Sequence, residues 1–266
     1  MSDRKNDAGR LPPSPSKTAM EALYGKYNRR EFVHPDPLEF LYRYENPLDR
    51  EVVGLVASSL AYGRVRQILK SVSLVLERMG PSPSSFLKAN SGKSFRTIFS
   101  GFKHRFTTGD DLAGLLEGSR RVLRRHGSLQ ACFMTGFHDG DSTVIPALTA
   151  FVRELKAGST RGCGTLLPSP VDGSACKRLN LFLRWMVRRD AVDPGVWPEA
   201  LRRRLVVPLD THMHRIGLAM DLTKRKQADL RTAVEITDRF RSIAPADPVR
   251  YDFALTRLGI RDGMDD

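Results

Sequence analysis

Lys177 and Asp210 are the two residues whose chemical types and positions best suit covalent chemistry. Each lies where an apolar pattern of helical spacing begins, so each is predicted to open a helix. A lysine is a nucleophile when its amine is neutral, and a carboxylate stabilises positive charge that develops on a carbon under attack. Presented by two helix starts on a basic, helical protein, this pair suits covalent chemistry at a DNA sugar.

The helix that carries the lysine is predicted over residues 174–189, with Ser174 as its N-cap. At about 100° per residue, Lys177 points nearly opposite the apolar face of that helix, which consists of Ala175, Leu179, Phe182 and Met186. The positive end of a helix disfavours an ammonium group, and neighbouring Arg178 and Arg184 act in the same direction. These effects favour the neutral amine, whereas the simpler interpretation is an exposed lysine on a solvated face.

A basic stripe is predicted along the same side of this helix. Arg184 and Arg188 follow Lys177 at i+7 and i+11, so both lie close to it in angle. Together with Arg178, they are predicted to contact DNA phosphates, which arginine and lysine side chains bind without reading sequence.

Asp210 is predicted to be the N-cap of a helix over residues 210–220, whose core stripe is Met213, Ile216 and Met220. Capping alone, worth ~1 kcal/mol, is the alternative explanation for an aspartate at this position. His212 and His214 lie roughly 200° apart around the helix, which is a poor arrangement for sharing a metal ion. No metal or cofactor is therefore predicted, and His212, His214 and Arg215 are taken as candidate substrate contacts or ordinary packed and surface residues.

The rest of the chain reads as helical almost throughout. Residues 1–18 are predicted to be a disordered tail, Asn46-Pro47 opens a helix, and Gly63 ends it. No strand-like alternation stands out, so the predicted fold class is all-α. Further helices are predicted over residues 64–79, 82–90, 110–126, 142–157, 226–242 and 247–258, with a glycine- and proline-rich loop over residues 158–173.

The net charge limits the classes of partner. Lysine and arginine total 43 against 30 acidic residues, a formal net charge of +13, which attracts polyanions; a generally basic protein is the alternative. No apolar run approaches the roughly 18–20 residues that span a bilayer, and the first residues lack a signal core. Three scattered cysteines fit a reducing compartment and cannot supply a four-cysteine iron–sulfur site. We expect a cytoplasmic, nucleoid-associated monomer that binds duplex DNA and no membrane.

Residues 209–212 (Leu-Asp-Thr-His), followed by Arg215-Ile216, resemble the Val-Asp-Thr-His…Arg-Val stretch of the helix-hairpin-helix DNA glycosylase superfamily. The resemblance implies that Asp210 is the catalytic carboxylate. It also implies that Lys177 is the nucleophile found in the bifunctional members. Residues 46–66 resemble the early helix whose end reaches DNA in that fold, which implies DNA or substrate contacts from Tyr62 and Arg64.

Most of the chain, from about residue 20 to 260, also resembles a bacterial family of uncharacterised proteins. That resemblance rests on residues 61–65, 177–188, 192–197 and 208–212. The superfamily hairpin reads Leu-Pro-Gly-Val-Gly-x-Lys, whereas residues 168–177 read Pro-Ser-Pro-Val-Asp-Gly-Ser-Ala-Cys-Lys, and 33 residues (210 − 177) separate the lysine from the aspartate. Archaeal 8-oxoguanine DNA glycosylases show a similarly altered hairpin and a long separation.

The resemblance implies one two-lobed helical domain over residues 19–266 with the active site in a cleft between the lobes. It implies a DNA glycosylase with AP lyase activity on an oxidised base such as 8-oxoguanine. Tyr62, Trp185 and Trp197 are candidates for stacking on a base, with packing in the core as the alternative. Three other functions remain open: a non-catalytic binder of damaged or structured nucleic acid, a monofunctional glycosylase in which Lys177 holds a phosphate, and an RNA-acting protein.

Overall fold

The computed structural model describes residues 15–157 and 163–261, and it is mainly helical, which confirms the all-α class. A single antiparallel hairpin, β1 (Lys103–His104) and β2 (Thr107–Thr108), provides the paired strands of these ranges. None of the described helices is long and apolar enough to cross a membrane. The α-helices are α1 (Lys17–Tyr27), α2 (Pro47–Ser59), α3 (Val65–Met79), α4 (Pro83–Ala89), α5 (Gly92–Ile98), α6 (Gly109–His126), α7 (Leu129–Met134), α8 (Ile145–Lys156), α9 (Lys177–Val187), α10 (Thr211–Ala219), α11 (Leu230–Ile243) and α12 (Asp252–Arg261).

Local start and stop signals explain why several helices match their predicted bounds. The Asn46 side chain accepts a hydrogen bond from the Leu48 amide at 2.9 Å, and Pro47 occupies the first turn of α2. α3 ends at Gly80, as predicted. The predictions over residues 82–90, 110–126 and 142–157 correspond to α4, α6 and α8.

Other boundaries were predicted wrongly. The predicted tail extends too far, because α1 begins at Lys17 with Ser16 as its cap; residues 1–14 lie outside the described ranges. The short helices α5 and α7 were not predicted, although a serine caps each of them. The last helix begins at Asp252 instead of residue 247, where the Asp247 carboxylate accepts hydrogen bonds from Arg188 instead of capping a helix. It also continues past Gly259, to Arg261.

One continuous hydrophobic core includes buried residues from α2, α6, α8 and α9, and the tryptophans belong to it. Trp185 is fully buried in α9, and Trp197 stands edge-on to Phe182 with ring centroids 5.3 Å apart. The Trp197 indole also donates a hydrogen bond to Glu51 at 2.8 Å. Both tryptophans are therefore core residues, and the suggestion that they stack on a base is wrong.

Arg184 and Arg188 are buried, so the predicted basic stripe does not reach the surface. Arg184 donates hydrogen bonds to Asp193 and Asp252 on different segments. Arg188 pairs with carboxylates before and after α9, namely Asp190, Asp193 and Asp247. Burial opposes the charge on both arginines, but the surrounding carboxylates outweigh it and raise their pKa values. These arginines fix α9 in the interior and are not DNA contacts.

Candidate active site

Lys177 and Asp210 lie next to each other in the folded chain. The distance from Lys177 Nζ to Asp210 Oδ2 is 3.5 Å, and both side chains are partly exposed to solvent. The other carboxylate oxygen, Oδ1, accepts a hydrogen bond from the Met213 amide at 2.8 Å, which confirms Asp210 as the N-cap of α10. One oxygen of Asp210 therefore holds the helix start while the other faces the amine.

The backbone before the lysine is strained. The helix predicted over residues 174–189 is shorter in the structure, where α9 begins at Lys177. Ser174 is not its cap; Cys176 occupies that position in the left-handed region, with φ 47°. A non-glycine residue in that region costs roughly 1–2 kcal/mol. A contact with α11 fixes the segment before this turn, because the Leu230 amide at the start of α11 donates a hydrogen bond to the Gly173 carbonyl at 3.0 Å. The segment before α9 and the start of α11 together determine the position of Lys177.

A cavity of about 520 Å³ opens beside Lys177. Its polar lining comes from Lys177, Arg64, Asp36 and Arg257. Its apolar lining is Pro35, Pro37, Ala61, Val65, Ile68 and Leu181. The cavity combines apolar walls with a few converging polar groups, which is the usual composition of a small-molecule or base pocket.

Other depressions of similar size lie away from this pair of residues. One of about 460 Å³ is lined by arginines at the end of α6 together with Glu154. Another, of about 550 Å³, borders β1 and α3. We assign the candidate site to the cavity beside Lys177, because Lys177 is the amine that forms the exposed ion pair with Asp210.

Asp36 and Arg257 are pocket residues that the sequence did not reveal. Asp36 caps a short 3-10 turn by accepting from the Leu38 amide at 2.9 Å, and it accepts from Arg257 at 2.6 Å. The two residues are 221 positions apart, so no local pattern could have paired them. Their contact joins the start of this 3-10 turn to α12, and both residues line the cavity.

Tyr62 and Arg178 have their polar groups engaged within the protein. Tyr62 donates to the His104 carbonyl at 2.9 Å, and the Arg178 guanidinium lies over the Tyr62 ring at 4.9 Å. Arg178 also donates to the carbonyls of Ser59, at 2.6 Å, and Thr165. Arg178 therefore ties the segment before α9, at Thr165, to the end of α2. Neither Tyr62 nor Arg178 lines the cavity.

The predicted contacts on α10 differ in exposure. His214 is buried, and its Nε2 lies 2.8 Å from the Arg225 carbonyl, so His214 anchors the segment after α10 instead of reaching a substrate. His212 is half-buried and Arg215 is exposed. Met213, Ile216 and Met220 are buried, as predicted for the core stripe. No group of residues with the ligand types and number of a metal centre occurs in the part of the chain that the structure describes.

Arg64 is the exposed cation at the rim of the cavity, where its backbone precedes α3. If Arg64 contacts a DNA phosphate, as the sequence predicts, Arg64→Gln should weaken duplex binding for all sequences and reduce the slope of log affinity against log salt by about 1. Arg239→Gln, an exposed arginine on α11 outside this cavity, serves as the matched control. Titrations at four salt concentrations measure the slope; an unchanged slope for Arg64→Gln would remove Arg64 from the interface.

The cysteines are expected to be unreactive in the folded protein. Cys132, Cys163 and Cys176 are all buried, and burial raises the pKa of Cys132 to about 12 and that of Cys176 to about 11. Neutral, shielded thiols react slowly. At pH 8 we therefore expect the disulfide reagent DTNB to label native protein far more slowly than unfolded protein. Rapid labelling of native Cys176 would instead make that thiol a competing nucleophile beside Lys177.

Comparison with known proteins identifies a family and nothing closer. A family model described as "Protein of unknown function (DUF2400)" matches residues 36–261, which include every residue that lines the candidate cavity apart from Pro35. No curated protein matches the chain, and no solved structure matches it.

Proposed function

The chain belongs to the DUF2400 family, and we propose that it is a DNA glycosylase with AP lyase activity. Its substrate would be duplex DNA that carries an oxidised base, with 8-oxoguanine as the first candidate. The fold would be a divergent form of the helix-hairpin-helix glycosylase fold, in which residues 168–177 replace the two-glycine hairpin. The protein would act without a metal or cofactor.

The observation that carries this proposal is the contact between Lys177 and Asp210. The residues are 33 positions apart (210 − 177) and open different helices, yet their charged atoms meet at 3.5 Å beside an apolar cavity. An ordinary surface lysine has no need of a strained turn before it, and an ordinary helix cap has no need of a lysine. Strain in the backbone next to a chemically competent pair is a common property of functional sites.

The proposed reaction uses the amine first as a nucleophile. Asp210 accepts a proton from the Lys177 ammonium, directly or through one water, and leaves a neutral amine. The Nζ lone pair forms a bond to the sugar C1′ while the bond from C1′ to the base breaks, and the base departs with that electron pair and takes up a proton. The protonated Asp210 gives its proton to the departing base, and as a carboxylate again it stabilises the positive charge that develops on the sugar.

Strand cleavage would follow from the covalent intermediate. The bond from C1′ to the ring oxygen O4′ then breaks, O4′ takes up the proton that Nζ loses, and a Schiff base forms between Nζ and C1′. Loss of a proton from C2′ then expels the 3′ phosphate oxygen with its electron pair, which is a β-elimination. Water releases the lysine at the end. The cavity beside Lys177 would hold the flipped base, whose edge could hydrogen-bond to Asp36 while apolar walls cover its faces.

Asp210→Asn separates chemistry from capping. Asparagine is as good an N-cap as aspartate, so we expect α10 and the melting temperature to be unchanged. Base release should slow by roughly 100-fold, the usual contribution of a positioned proton acceptor, because the variant neither takes the lysine proton nor stabilises positive charge. Single-turnover base release measures the effect, and an unchanged rate with unchanged stability would limit Asp210 to its capping role.

A base-excision panel tests the proposed function as a whole. Duplexes that carry single oxidised, deaminated or alkylated bases are incubated with the protein, and both base release and strand products are resolved. We expect release of an oxidised purine together with strand cleavage. Base release without cleavage would indicate a monofunctional glycosylase. Binding of damaged duplex without release of any base would contradict the proposal and favour a non-catalytic binder, and preference for structured RNA in competition would favour an RNA-acting protein.

A further inference from the structure

Phe106 is a large hydrophobic side chain left in water. The residue is 77% exposed, whereas the phenylalanines of the hydrophobic core are buried or packed against that core. It forms the tip of the β1–β2 hairpin with Arg105, between the paired residues His104 and Thr107. An exposed aromatic side chain at the tip of a hairpin is well placed to contact a binding partner.

The turn that presents this ring is built against local preference. Two-residue hairpin turns with positive φ at the first central residue alone favour glycine at that position. Here Arg105 takes that conformation, with φ 52°, at a cost of roughly 1–2 kcal/mol. Because this backbone conformation is unfavourable for arginine, we take the turn to serve the exposure of its side chains and not the stability of the hairpin.

The base of the hairpin is fixed, so the tip is presented rigidly. The Tyr62 hydroxyl contacts the His104 carbonyl at 2.9 Å and Thr107 Oγ1 at 2.7 Å. The buried His104 ring lies 2.9 Å from Ser71 Oγ and 3.1 Å from the Tyr62 carbonyl. Burial lowers the pKa of His104, which favours the neutral form of its ring.

The hairpin tip borders the candidate cavity through Gly63. An ideal Cβ on Gly63 would lie 2.6 Å from Arg105 Cδ, and Gly63 has φ 91°, so only glycine allows Arg105 to pack there. Gly63 lines the cavity together with Lys177. Arg105, the neighbour of Phe106 in the hairpin tip, therefore packs against a residue that lines the cavity together with the nucleophile.

The surroundings of the tip are cationic. Arg105 and Lys103 on the hairpin and Lys70 on α3 line the depression of about 550 Å³ behind it, where Glu77 is the single carboxylate of that lining. Arg105 also lies near the Phe106 ring, at 5.6 Å from its centroid. Aromatic rings set among lysine and arginine are the usual means of stacking on unpaired bases while holding the backbone.

We propose that Phe106 stacks on the bases of duplex DNA where a base pair is disrupted beside the Lys177 cavity. The ring fills the gap in the helix, and Lys70, Lys103 and Arg105 hold the adjacent phosphates. This assignment rests on the proposed function, because it places the disrupted base pair at the active site. Stacking of this kind keeps a flipped base from returning to the helix.

The test uses a duplex with a tetrahydrofuran abasic analogue, which the proposed reaction cannot process, and 2-aminopurine next to it. Phe106→Ala should bind this duplex about 10-fold more weakly than the unsubstituted protein and should lose the change in 2-aminopurine fluorescence that accompanies stacking. Phe106→Tyr should restore both, and binding to intact duplex should not change. Leu218→Ala, another exposed apolar residue, is the matched control.

The outcomes separate this inference from the proposed reaction. Equal binding and equal fluorescence for Phe106→Ala and the unsubstituted protein would overturn the role of Phe106, even if base excision is observed. Loss of binding in Phe106→Ala and recovery in Phe106→Tyr would support it. That result, combined with no base release across the lesion panel, would count against the glycosylase reaction alone.

Discussion

Lys177→Gln is expected to abolish both base release and strand cleavage. Glutamine keeps a polar side chain that is one bond shorter, but it has no amine to attack C1′, so the covalent route is closed. We expect a loss of at least about 1,000-fold in the single-turnover rate, equal to about 4 kcal/mol of activation free energy. The rate is measured on an 8-oxoguanine duplex, or on the best substrate of the lesion panel, with base and strand products resolved.

The fold should tolerate this substitution, which makes the result interpretable. The Lys177 side chain is partly exposed, and its ion pair with Asp210 is exposed as well, so its loss should change stability by less than about 1 kcal/mol. Lys88→Gln, at an exposed lysine of α4, should keep full activity. Base release by Lys177→Gln at the original rate would show that water, and not this amine, attacks the sugar.

Asp193→Asn is expected to have the largest effect on stability. Asp193 is fully buried between Arg184 and Arg188 and accepts hydrogen bonds from both. Asparagine has one acceptor oxygen where aspartate has two, so the buried hydrogen bonds to Arg184 and Arg188 cannot both be kept, and their charge assistance is lost. Because each arginine keeps at least one other carboxylate partner, we expect a cost near the lower end of the range for breaking a buried ion pair, about 3 kcal/mol. At about 2–4 °C per kcal/mol for a domain of this size, the melting temperature should fall by about 10 °C.

A surface pair provides the control for this effect. Glu199 is 72% exposed in its side chain and pairs with Arg202 at 2.8 Å. Exposed pairs contribute about 0–1 kcal/mol, so Glu199→Gln should leave the melting temperature nearly unchanged. Equal stability of Asp193→Asn and Glu199→Gln in chemical denaturation would show that the buried network does not hold α9 in place.

Sequence patterns predicted the helices whose signals are local. The starts of α2 and α10 follow from capping side chains at Asn46 and Asp210, and the end of α3 follows from Gly80. These features depend on residues within one turn of each other, so the sequence contains them in full. The bound of α12 was missed for the opposite reason, because a distant arginine engages Asp247.

The fate of Arg184 and Arg188 shows the limit of periodicity. The angles around α9 were correct, since both residues follow Lys177 on one side of the helix. The burial of that side could not be predicted, because it depends on carboxylates that come from other segments, at Asp190, Asp193, Asp247 and Asp252. A charged stripe on a helix stays exposed to solvent only if the fold places no oppositely charged residues against it.

The sequence predicted which residue types form the candidate site, but not how the fold brings them together. Lys177 and Asp210 were identified from their positions at two helix starts and from the resemblance of residues 209–212 to a catalytic stretch. Their separation of 3.5 Å, the strained Cys176 and the Asp36–Arg257 wall of the cavity arise from packing between distant parts of the chain. Tertiary contacts of this kind leave no periodic trace in a sequence.

Borohydride trapping is the most direct test of the claim that Lys177 is a nucleophile. Borohydride reduces a Schiff base between protein and DNA to a stable amine, and digestion with mass spectrometry locates the modified residue. We predict a covalent adduct with oxidised-base duplex, modified at Lys177, formed by the unsubstituted protein and by Lys88→Gln and absent from Lys177→Gln. Absence of an adduct with every oxidised-base duplex, or an adduct that persists in Lys177→Gln, would contradict the account.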